Sequence, residues 1–474
     1  AAISDIPADR IRSLAREMAE KRTVISVSWS LTRADHGEQP FWMAITLAAL
    51  LGRIGLPGGG VAFGFSATNS IGADYQLMPG ASVPQGKNPV PDFIPVARIT
   101  DMLENPGGRF EFNGQTLTYP DVRMIWWAGG NPYHHHQDLS RLERAWAKPE
   151  TVVVNDWCWN ATARRADIVL PCTTHVERDD ICMSQRDPYV IAMRKAVDAP
   201  GHALDDHEIF RRIAAKLGFE STFTDDLTPA GWTRRLYEQT AKADGACGLD
   251  LPSWEEIQSK GWHKTPAPDR PTTMMQAFRA DPIKNRLATP SGKIEVFSQT
   301  VADFGNTDCP GHPVWLDPYE WLGNAQADEL HLITNQPAKK LHSQLDQGGI
   351  CASAKRHGRE PVLINVNDAN DRNIVEGDIV RLFNDRGACL GAATISADIR
   401  PGVVQMSTGA WWDPDEAGMC RHGNPNTLTR DVGTSALGQG PTAHTCLVKI
   451  EKYTGDLPKI RAFDPPQIKR PKRG

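Results

Sequence analysis

The sequence predicts an α/β protein with doubly wound, mostly parallel sheets followed by a C-terminal β-barrel domain. Between residues 122 and 171, short β-prone runs alternate with helical runs, which is the rhythm of a parallel sheet. From Leu330 onward, short β-prone runs follow one another through turns, and no long helix interrupts them. These changes divide the 474 residues into three expected domains, at 1–110, 111–325 and 326–474.

The first domain is expected to begin with an amphipathic helix and a strand. Ile11, Leu14 and Met18 recur at helical spacing, Ser4 or Asp5 is the expected cap, and Thr23–Ser28 is the expected strand. An amphipathic helix is then predicted at Phe41–Leu51, and glycines end it. Residues 64–95 are rich in Gly, Pro, Asn and Ser, so we expect a long irregular loop there, of the kind that usually serves function.

The remaining elements follow from the same patterns of spacing and turns. Before residue 241 they are a helix at Val96–Glu104, a hairpin at Phe110–Leu117 turning at Asn113-Gly114, strands at Val122–Trp127, Thr151–Val154 and Ile168–Pro171, and helices at Leu139–Trp146, 160–166, Asp205–Leu217 and Trp232–Thr240. Residues 241–325 show little periodicity. In the barrel domain the expected strands are Leu330–Thr334, Val362–Val366, Ile379–Phe383, Ala388–Ile395, Val403–Met406 and Cys446–Ile450.

Composition excludes several classes of protein. A net charge of -5 argues against a nucleic-acid partner. The longest largely apolar run, Ala44–Leu51, is too short to span a membrane. The nine cysteines include no CxxC pair, which removes the usual iron–sulfur and structural zinc signatures and suggests reduced thiols.

The segment Trp126–Asp138 is the most informative part of the chain. A β-prone run ends here in two glycines, an Asn-Pro and three histidines. Ligands of open α/β sheets sit at such strand ends, and glycines let an anion approach the backbone. A zinc site is the alternative, but consecutive histidines cannot all face one metal ion from a helix or strand. We therefore interpret the turn as a cofactor contact and the histidines as mostly structural.

Two other strand ends carry polar side chains with two possible roles each. Trp29–Pro40 lies between a strand and a helix, where anions bind, although Asp35 and Glu38 also fit ordinary helix caps. Asp156 ends a predicted strand, where a carboxylate can accept hydrogen bonds from ribose hydroxyls or cap the next helix.

The barrel domain contains an uncommon number of polar and glycine residues at its strand ends. They are concentrated in four segments, 334–337, 341–344, 422–426 and 433–444. Each segment alone fits an ordinary turn. Together their amide side chains suit the edges of a pterin or purine, and a large polycyclic cofactor between two domains would explain them. The sequence contains no GxSxG, HExxH, P-loop or GxGxxG motif, and no catalytic residue or metal ligand is assigned.

In combination these motifs resemble the dimethyl sulfoxide reductase family of molybdenum enzymes, in the branch of trimethylamine N-oxide, dimethyl sulfoxide and biotin sulfoxide reductases. The matching segments span nearly the whole chain in family order and are HGEQPFWM (36–43), LLGRIGLPGGG (50–60), WAGGNPYHHHQD (127–138), TARRADIVLPCTT (162–174), ERDDI (177–181), LHSQ (341–344), FNDRGACLGAATISADIRPGVV (383–404), HGNPNTLTRDVGTS (422–435) and GQGPTAH (438–444). The resemblance implies oxygen-atom transfer at a bis(molybdopterin guanine dinucleotide) molybdenum centre, with the barrel as a double-psi-like domain that caps the cofactor.

The resemblance also implies a set of cofactor-binding residues. It places Trp29, Arg33, His36, Gln39, Gly130, Asn131 and Gln137 near the cofactor, Asp156 at a guanosine, and Asn335, His342, Ser343, Gln344, Asn426 and Gln439 at the pterins. On this basis we expect Asn131, Asp156, His342 and Asn426 to face one shared cavity.

The match begins in the middle of the family pattern, and this sets the expected partners. The family's serine ligand to molybdenum lies in an N-terminal portion that has no counterpart between Ala1 and Gly474. The expected partners are therefore that portion or a complementary subunit, an external electron donor such as a c-type cytochrome, and a small S-oxide or N-oxide substrate. The implied role is anaerobic respiration in the periplasm, with the cytoplasm as the alternative compartment. Two other functions stay open: a dehydrogenase or hydroxylase of the same superfamily, and a non-catalytic cofactor-binding or scaffold subunit.

Overall fold

The computed structural model describes residues 1–65, 69, 71–73, 75, 80, 82–184, 187–246 and 249–466. Its N-terminal elements are α1 (Ala8–Glu20), β1 (Val24–Ser26), α2 (Gln39–Leu50) and β2 (Gly60–Ala62), and β1 and β2 pair in parallel. Both predicted helices and the predicted strand are confirmed. The cap of α1 was predicted wrongly: Pro7 occupies the cap position, and its side chain has no hydrogen-bond acceptor.

Helix α2 is apolar around most of its circumference. Only Gln39, Ala44 and Ala48 are buried, whereas Met43 and Leu50 are among its exposed side chains. The expectation of an amphipathic helix is therefore wrong, since apolar residues occupy the outer face as well. Part of the expected loop at 64–95 lies outside the described residues, and its described residues contain no helix or strand.

The second segment builds a parallel sheet. It begins with α3 (Ile99–Glu104) and a hairpin of β3 (Arg109–Phe112) and β4 (Gln115–Thr118), and continues through β5 (Met124–Ala128), α4 (Pro132–His135), α5 (Leu139–Trp146), β6 (Thr151–Asp156) and β7 (Ile168–Pro171). Asn113 and Gly114 form the predicted hairpin turn, both at positive φ. Strands β5, β6 and β7 pair in parallel in chain order. A doubly wound sheet needs a reversal of strand order, and these three strands show none.

A smaller helical and antiparallel layer follows. Its elements are β8 (Asp180–Cys182), β9 (Tyr189–Met193), α6 (Asp206–Leu217), α7 (Glu220–Thr224), α8 (Pro229–Ala246), α9 (Trp254–Lys260), β10 (Trp262–Lys264), α10 (Gln276–Ala280) and α11 (Gln299–Asp303). The strand order is β10-β9-β8, and Val190, Tyr237, Leu249 and Ile257 form a small core beside them. Short helices thus occupy a stretch whose sequence shows little periodicity.

The C-terminal part is a six-stranded sheet that returns on itself. Its elements are β11 (Glu329–Ile333), α12 (Gly349–Ala354), β12 (Pro361–Asn365), α13 (Val366–Asp371), β13 (Ile379–Asn384), β14 (Gly387–Ser396), β15 (Val403–Met406) and β16 (Leu447–Lys452). The pairing order is β11-β15-β12-β14-β13-β16, and β16 pairs again with β11. All six predicted strands are present, and both helices between them are six residues long.

One apolar core joins the parallel sheet to the six-stranded sheet. Leu142 and Val154 belong to the same buried cluster as Leu332, Leu382 and Met406. Because close-packed interiors transmit position from one element to the next, this shared core fixes the strand ends of the two sheets relative to each other. None of the helices among the described residues is both long and apolar enough to cross a membrane.

Candidate functional site

Two adjoining cavities lie where the loops of the parallel sheet meet the loops of the six-stranded sheet. Each has a volume of about 440 Å³, and His134, His135 and His342 line both of them. Cavities of several hundred Å³ between structural layers are the usual place for a cofactor.

The first cavity is built around the three consecutive histidines. Its polar walls are Arg33, His134, His135, His136, Gln137, Gln336, His342, Thr408, Asn426 and Gln439. Asn426 Nδ2 donates to the His134 carbonyl oxygen at 2.7 Å, and the neighbouring Asn424 Nδ2 donates to the Tyr133 carbonyl oxygen at 3.0 Å. The six-stranded unit therefore holds the one-turn helix α4 by its backbone, which leaves the histidine side chains free to line the cavity.

Three side-chain atoms on this wall are buried without a hydrogen-bond partner. They are His134 Nδ1, His136 Nε2 and Gln137 Oε1. Buried polar atoms in native proteins are nearly always satisfied, so each of these atoms calls for a partner. A heterocycle with its own donors and acceptors, such as a pterin, is a suitable partner, and the first cavity therefore fits such a group.

Burial keeps these imidazoles neutral. It lowers the pKa of His134 and of His136 to about 3, with smaller contributions from the neighbouring His135. The same cause, followed by the adjacent Lys355 ammonium, lowers the pKa of His422 to about 3. A neutral imidazole offers one donor and one acceptor, which suits recognition of a ligand edge.

These shifts predict a loss of stability in mild acid. A histidine held at a folded pKa of about 3 keeps its full contribution above the unfolded pKa of about 6.5 and loses it as the pH falls toward 3. Each such histidine should lower the free energy of unfolding by about 2 kcal/mol between pH 6.5 and pH 5. In urea unfolding at pH 7 and pH 5, His422→Gln should reduce the drop in free energy of unfolding by about that amount. His202→Gln, at an exposed histidine, is the control, and an equal drop in both variants would contradict the assignment.

The second cavity is formed at the carboxyl ends of β5 and β6. Its polar walls are Asn131, His134, His135, Asn155, Asp156, Cys158, Asn160, Asp206, His342, Ser343 and Gln344, together with the backbone of Gly129 and Gly130. Gly129 and Gly130 have φ of 80° and 83°, and nothing lies within 4 Å of where a Gly129 Cβ would be. This part of the backbone is therefore open to close approach by a ligand, as the sequence predicts.

Asn131 joins the two halves of the second cavity. Its Nδ2 donates to Ser343 Oγ at 3.3 Å, and its Oδ1 accepts from Thr162 Oγ1 at 2.7 Å. The residue precedes a proline and stands before α4 without capping it, so its side chain is available for these contacts.

Asp156 is the last residue of β6 and organises the loop that follows. Its Oδ1 accepts from the Trp157 and Cys158 backbone amides at 2.8 and 3.3 Å, and its Oδ2 accepts from Asn160 Nδ2 at 2.5 Å. Burial raises the pKa of this carboxyl group. At the next helical turn, Asn160 Oδ1 accepts from the Thr162 and Ala163 backbone amides at 3.0 and 2.9 Å, so the capping role for Asp156 is wrong. Asn155 and Asp156 also lie within the strand, although the sequence suggested that they follow it.

The capping role considered for Asp35 and Glu38 is wrong as well. Glu38 precedes α2 without a side-chain cap bond, and its Oε1 instead accepts from Thr434 Oγ1 and Ser435 Oγ at 2.6 and 2.9 Å. Asp35 Oδ2 accepts from the Tyr319 backbone amide at 2.9 Å. Both carboxylates therefore tie the N-terminal segment to later parts of the chain.

Ten of the fourteen residues implied by the resemblance line the two cavities. Arg33, Gln137, Asn426 and Gln439 line the first, Gly130, Asn131, Asp156, Ser343 and Gln344 line the second, and His342 lines both. The four that were expected to share one cavity are thus divided: Asn131 and Asp156 face the second, Asn426 faces the first, and His342 stands between them.

The other four implied residues lie elsewhere. Trp29 is half exposed and packs its ring edge against Phe63. His36 Nδ1 contacts the Asp308 carbonyl oxygen, and Gln39 contacts Cys309 and the Val314 amide. Asn335 Oδ1 accepts from Ser407 Oγ at 3.2 Å. Their role toward a cofactor stays a prediction.

Several cavity residues were not singled out from the sequence. His134, His135 and His136 were interpreted as mostly structural, yet all three are wall residues. Asp206 reaches the second cavity from the start of α6, where its Oδ1 accepts from Asn155 Nδ2 at 2.9 Å. To identify Asp206 from the sequence, one would have had to predict that the start of α6 lies next to the end of β6. Among the described residues there is no group of three or more His, Cys, Asp or Glu side chains placed to hold a metal ion.

Comparison with known proteins agrees with this geometry. Residues 12–216 match the family model "Molybdopterin oxidoreductase", and residues 330–447 match "Molydopterin dinucleotide binding domain". The two matched ranges contain the residues on which the two cavities are built, from Arg33 to Asp206 and from Gln336 to Ala443. The models together indicate a molybdenum–pterin cofactor.

Curated relatives resemble nearly the whole chain. Biotin sulfoxide reductase of Cereibacter sphaeroides is 46% identical over 98% of this chain and 62% of its own length. Dimethyl sulfoxide/trimethylamine N-oxide reductase of the same organism is 41% identical over 98% and 59%, and trimethylamine-N-oxide reductase of Haemophilus influenzae is 39% identical over 98% and 59%. The chain thus spans about three fifths of the length of the curated relatives it matches.

A solved structure supports the fold independently. Acetylene hydratase from Pelobacter acetylenicus superposes with a TM-score of 0.55 at 18% identity, covering 71% of this chain and 45% of that chain. At this level of identity the likeness concerns the fold alone. The chain belongs to the dimethyl sulfoxide reductase family of molybdopterin oxidoreductases.

Proposed function

We propose that this chain is the part of an S-oxide or N-oxide reductase that holds the pterin dinucleotides of its molybdenum centre. The observation that carries the proposal is that His134, His136 and Gln137, which line a cavity between two sheets, each have a buried side-chain atom without a hydrogen-bond partner. The names of the relatives, which are sulfoxide and N-oxide reductases, support this activity over a dehydrogenase, a hydroxylase or a scaffold.

The proposed cofactor is bis(molybdopterin guanine dinucleotide) molybdenum, distributed over the two adjoining cavities. When bound, it supplies oxygen-atom transfer from the S-oxide or N-oxide. The chain's own residues bind and orient it. The neutral imidazoles and the amides of Gln137 and Asn426 would recognise a pterin edge, and Arg33 would place a fixed positive charge in the first cavity.

In the second cavity the proposed ligand group is a guanosine. Asp156 keeps acceptor capacity on Oδ2, which accepts only from Asn160 Nδ2, because each oxygen of an ionised carboxylate offers about two acceptor sites. We assign it to ribose hydroxyls, with the open backbone at Gly129 and Gly130 close to the phosphates. The six-stranded sheet would then be a double-psi-like barrel that caps the cofactor, with domains at 1–110, 111–325 and 326–474.

The proposed partners follow from the relatives' length and names. A portion equivalent to the remainder of the relatives, on the same or another polypeptide, would complete the enzyme. The substrate is a small S-oxide or N-oxide, and electrons arrive from an external donor such as a c-type cytochrome. We place this role in anaerobic respiration, in the periplasm, with the cytoplasm as the alternative.

The test is chemical analysis of the assembled enzyme. Molybdenum measured by mass spectrometry and nucleotide released by acid hydrolysis should show guanine nucleotide in twofold excess over molybdenum. His134→Ala and Asn426→Ala should lower both together. His357→Ala and Asn370→Ala, at exposed positions of the six-stranded unit, are the controls. Release of another nucleotide would exclude the guanine form, and wild-type content in both cavity variants would exclude the proposed site.

A further inference from the structure

The segment 340–346 has a strained backbone and contributes four residues to the cavities. His342 lines both cavities, and Ser343, Gln344 and Leu345 line the second. His342 and Leu345 adopt left-handed backbones with φ of 52° and 53°. Residues with a β-carbon avoid this conformation, and they keep it only where their surroundings hold the backbone in place.

A buried ion pair closes this segment. Lys340 lies two residues before His342, and Asp346 lies two residues after Gln344. The Lys340 Nζ atom is 2.8 Å from Asp346 Oδ1. Their side chains are 3% and 0% exposed. The two ends of the strained turn are therefore joined by a buried ion pair.

The pair belongs to a charge-balanced cluster. Lys355 Nζ lies 2.7 Å from the same Asp346 oxygen and 3.4 Å from Glu360 Oε1, and Lys340 also contacts Glu360. Burial alone would raise the pKa of Asp346, but the Lys355 and Lys340 ammonium groups outweigh it and lower that pKa. Two cations thus meet two anions in the interior. Because buried ion pairs add little net stability, a positional role is the better account of this one.

Trp411 and Gly409 make further contacts with the same segment. Trp411 Nε1 donates to the Ser343 carbonyl oxygen at 2.8 Å, and the Trp411 backbone amide donates to Asp346 Oδ2 at 3.0 Å. A Cβ added at Gly409 would lie 2.1 Å from the His342 carbonyl oxygen, so only glycine permits this approach. Asp346 therefore connects the ion pair to the residues that fix the loop carbonyls.

We propose that the Lys340–Asp346 pair is a positioning device that holds His342, Ser343 and Gln344 in their ligand-binding arrangement. The identity of the ligand rests on the proposed function, but the role of the ion pair in fixing the loop conformation is independent of it. Lys340 and Asp346 line neither of the two cavities and act through His342, Ser343 and Gln344.

The test compares loop order with ligand binding in the full chain. The double variant Lys340→Met/Asp346→Asn leaves Lys355 and Glu360 as a balanced pair, and the asparagine can still accept from Trp411. Hydrogen exchange of amides 341–346 should become about tenfold faster or more. Binding of guanosine diphosphate, measured by calorimetry, should weaken about tenfold to a hundredfold, as it does when residues that orient a ligand contact are lost.

Two variants separate positioning from a general loss of stability. Adding Leu345→Asn to the double variant should restore part of the affinity, because asparagine tolerates the left-handed backbone. Glu451→Gln, which breaks the exposed Arg381–Glu451 pair of the same unit, should change neither measurement. Wild-type exchange and affinity in the double variant would overturn the proposal. If the wild-type chain does not bind the nucleotide, the proposed function fails, while the exchange rates still decide the role of the pair.

Discussion

Asp156→Ala is expected to weaken binding of guanosine diphosphate to this chain by more than about a hundredfold. A hydrogen bond to a charged group contributes about 1.5–3 kcal/mol, and a ribose offers two hydroxyls, so the expected loss is about 3–6 kcal/mol. The carboxylate lies at the end of β6 on the wall of the second cavity, and its position there is fixed by two backbone amides and Asn160. Calorimetry of the full chain would measure the loss.

Two control variants separate ligand contact from loop shape. Asn160→Ala removes one bond between Asp156 and the loop but leaves the carboxylate in place, so it should weaken binding much less. Asp167→Ala removes a carboxylate that bonds to the Val152 amide away from both cavities, and should leave binding unchanged. If Asp156→Ala and Asn160→Ala weaken binding equally, Asp156 only shapes the loop, and the proposed contact to ribose is wrong.

The strands were predictable because their signal is local. All six strands of the C-terminal sheet, and the strands of the parallel sheet, are short β-prone runs bounded by turn residues. The hairpin at Asn113-Gly114 follows from two residues that both accept positive φ. Helix α2 shows the limit of such patterns, since its outer face is apolar as well and periodicity alone could not identify which face is buried.

The site was less predictable because its contacts join distant parts of the sequence. Asn426 meets the backbone of His134 across 292 residues, and Asn131 meets Ser343 across 212. Motifs indicated that these residues are polar strand ends, but not that His342 separates two cavities. The buried pair of Lys340 and Asp346 gave no signal at all, because charged residues six positions apart normally belong to a solvent-exposed turn.

The chain without its proposed complementary portion is expected to reduce no oxide. It spans about three fifths of the length of relatives that are sulfoxide and N-oxide reductases. Helix α1 has no buried residue, and its Ile11 and Leu14 are exposed on one face, with Met43 and Leu50 exposed on α2. Exposed apolar surface marks interaction sites, so we expect these side chains of α1 and α2 to pack on the complementary portion.

Purified chain, supplied with the molybdenum cofactor and reduced viologen, should therefore turn over none of dimethyl sulfoxide, trimethylamine N-oxide and biotin sulfoxide. Adding the portion equivalent to the rest of a relative should produce activity with at least one of them. Leu14→Glu should weaken this association about tenfold or more, because it introduces a charge into an apolar interface. Arg16→Glu changes the charge on nearly the opposite face of the same helix and should have little effect. Turnover by the unaccompanied chain would show that the complementary portion is dispensable, and equal effects of the two variants would place the contact elsewhere.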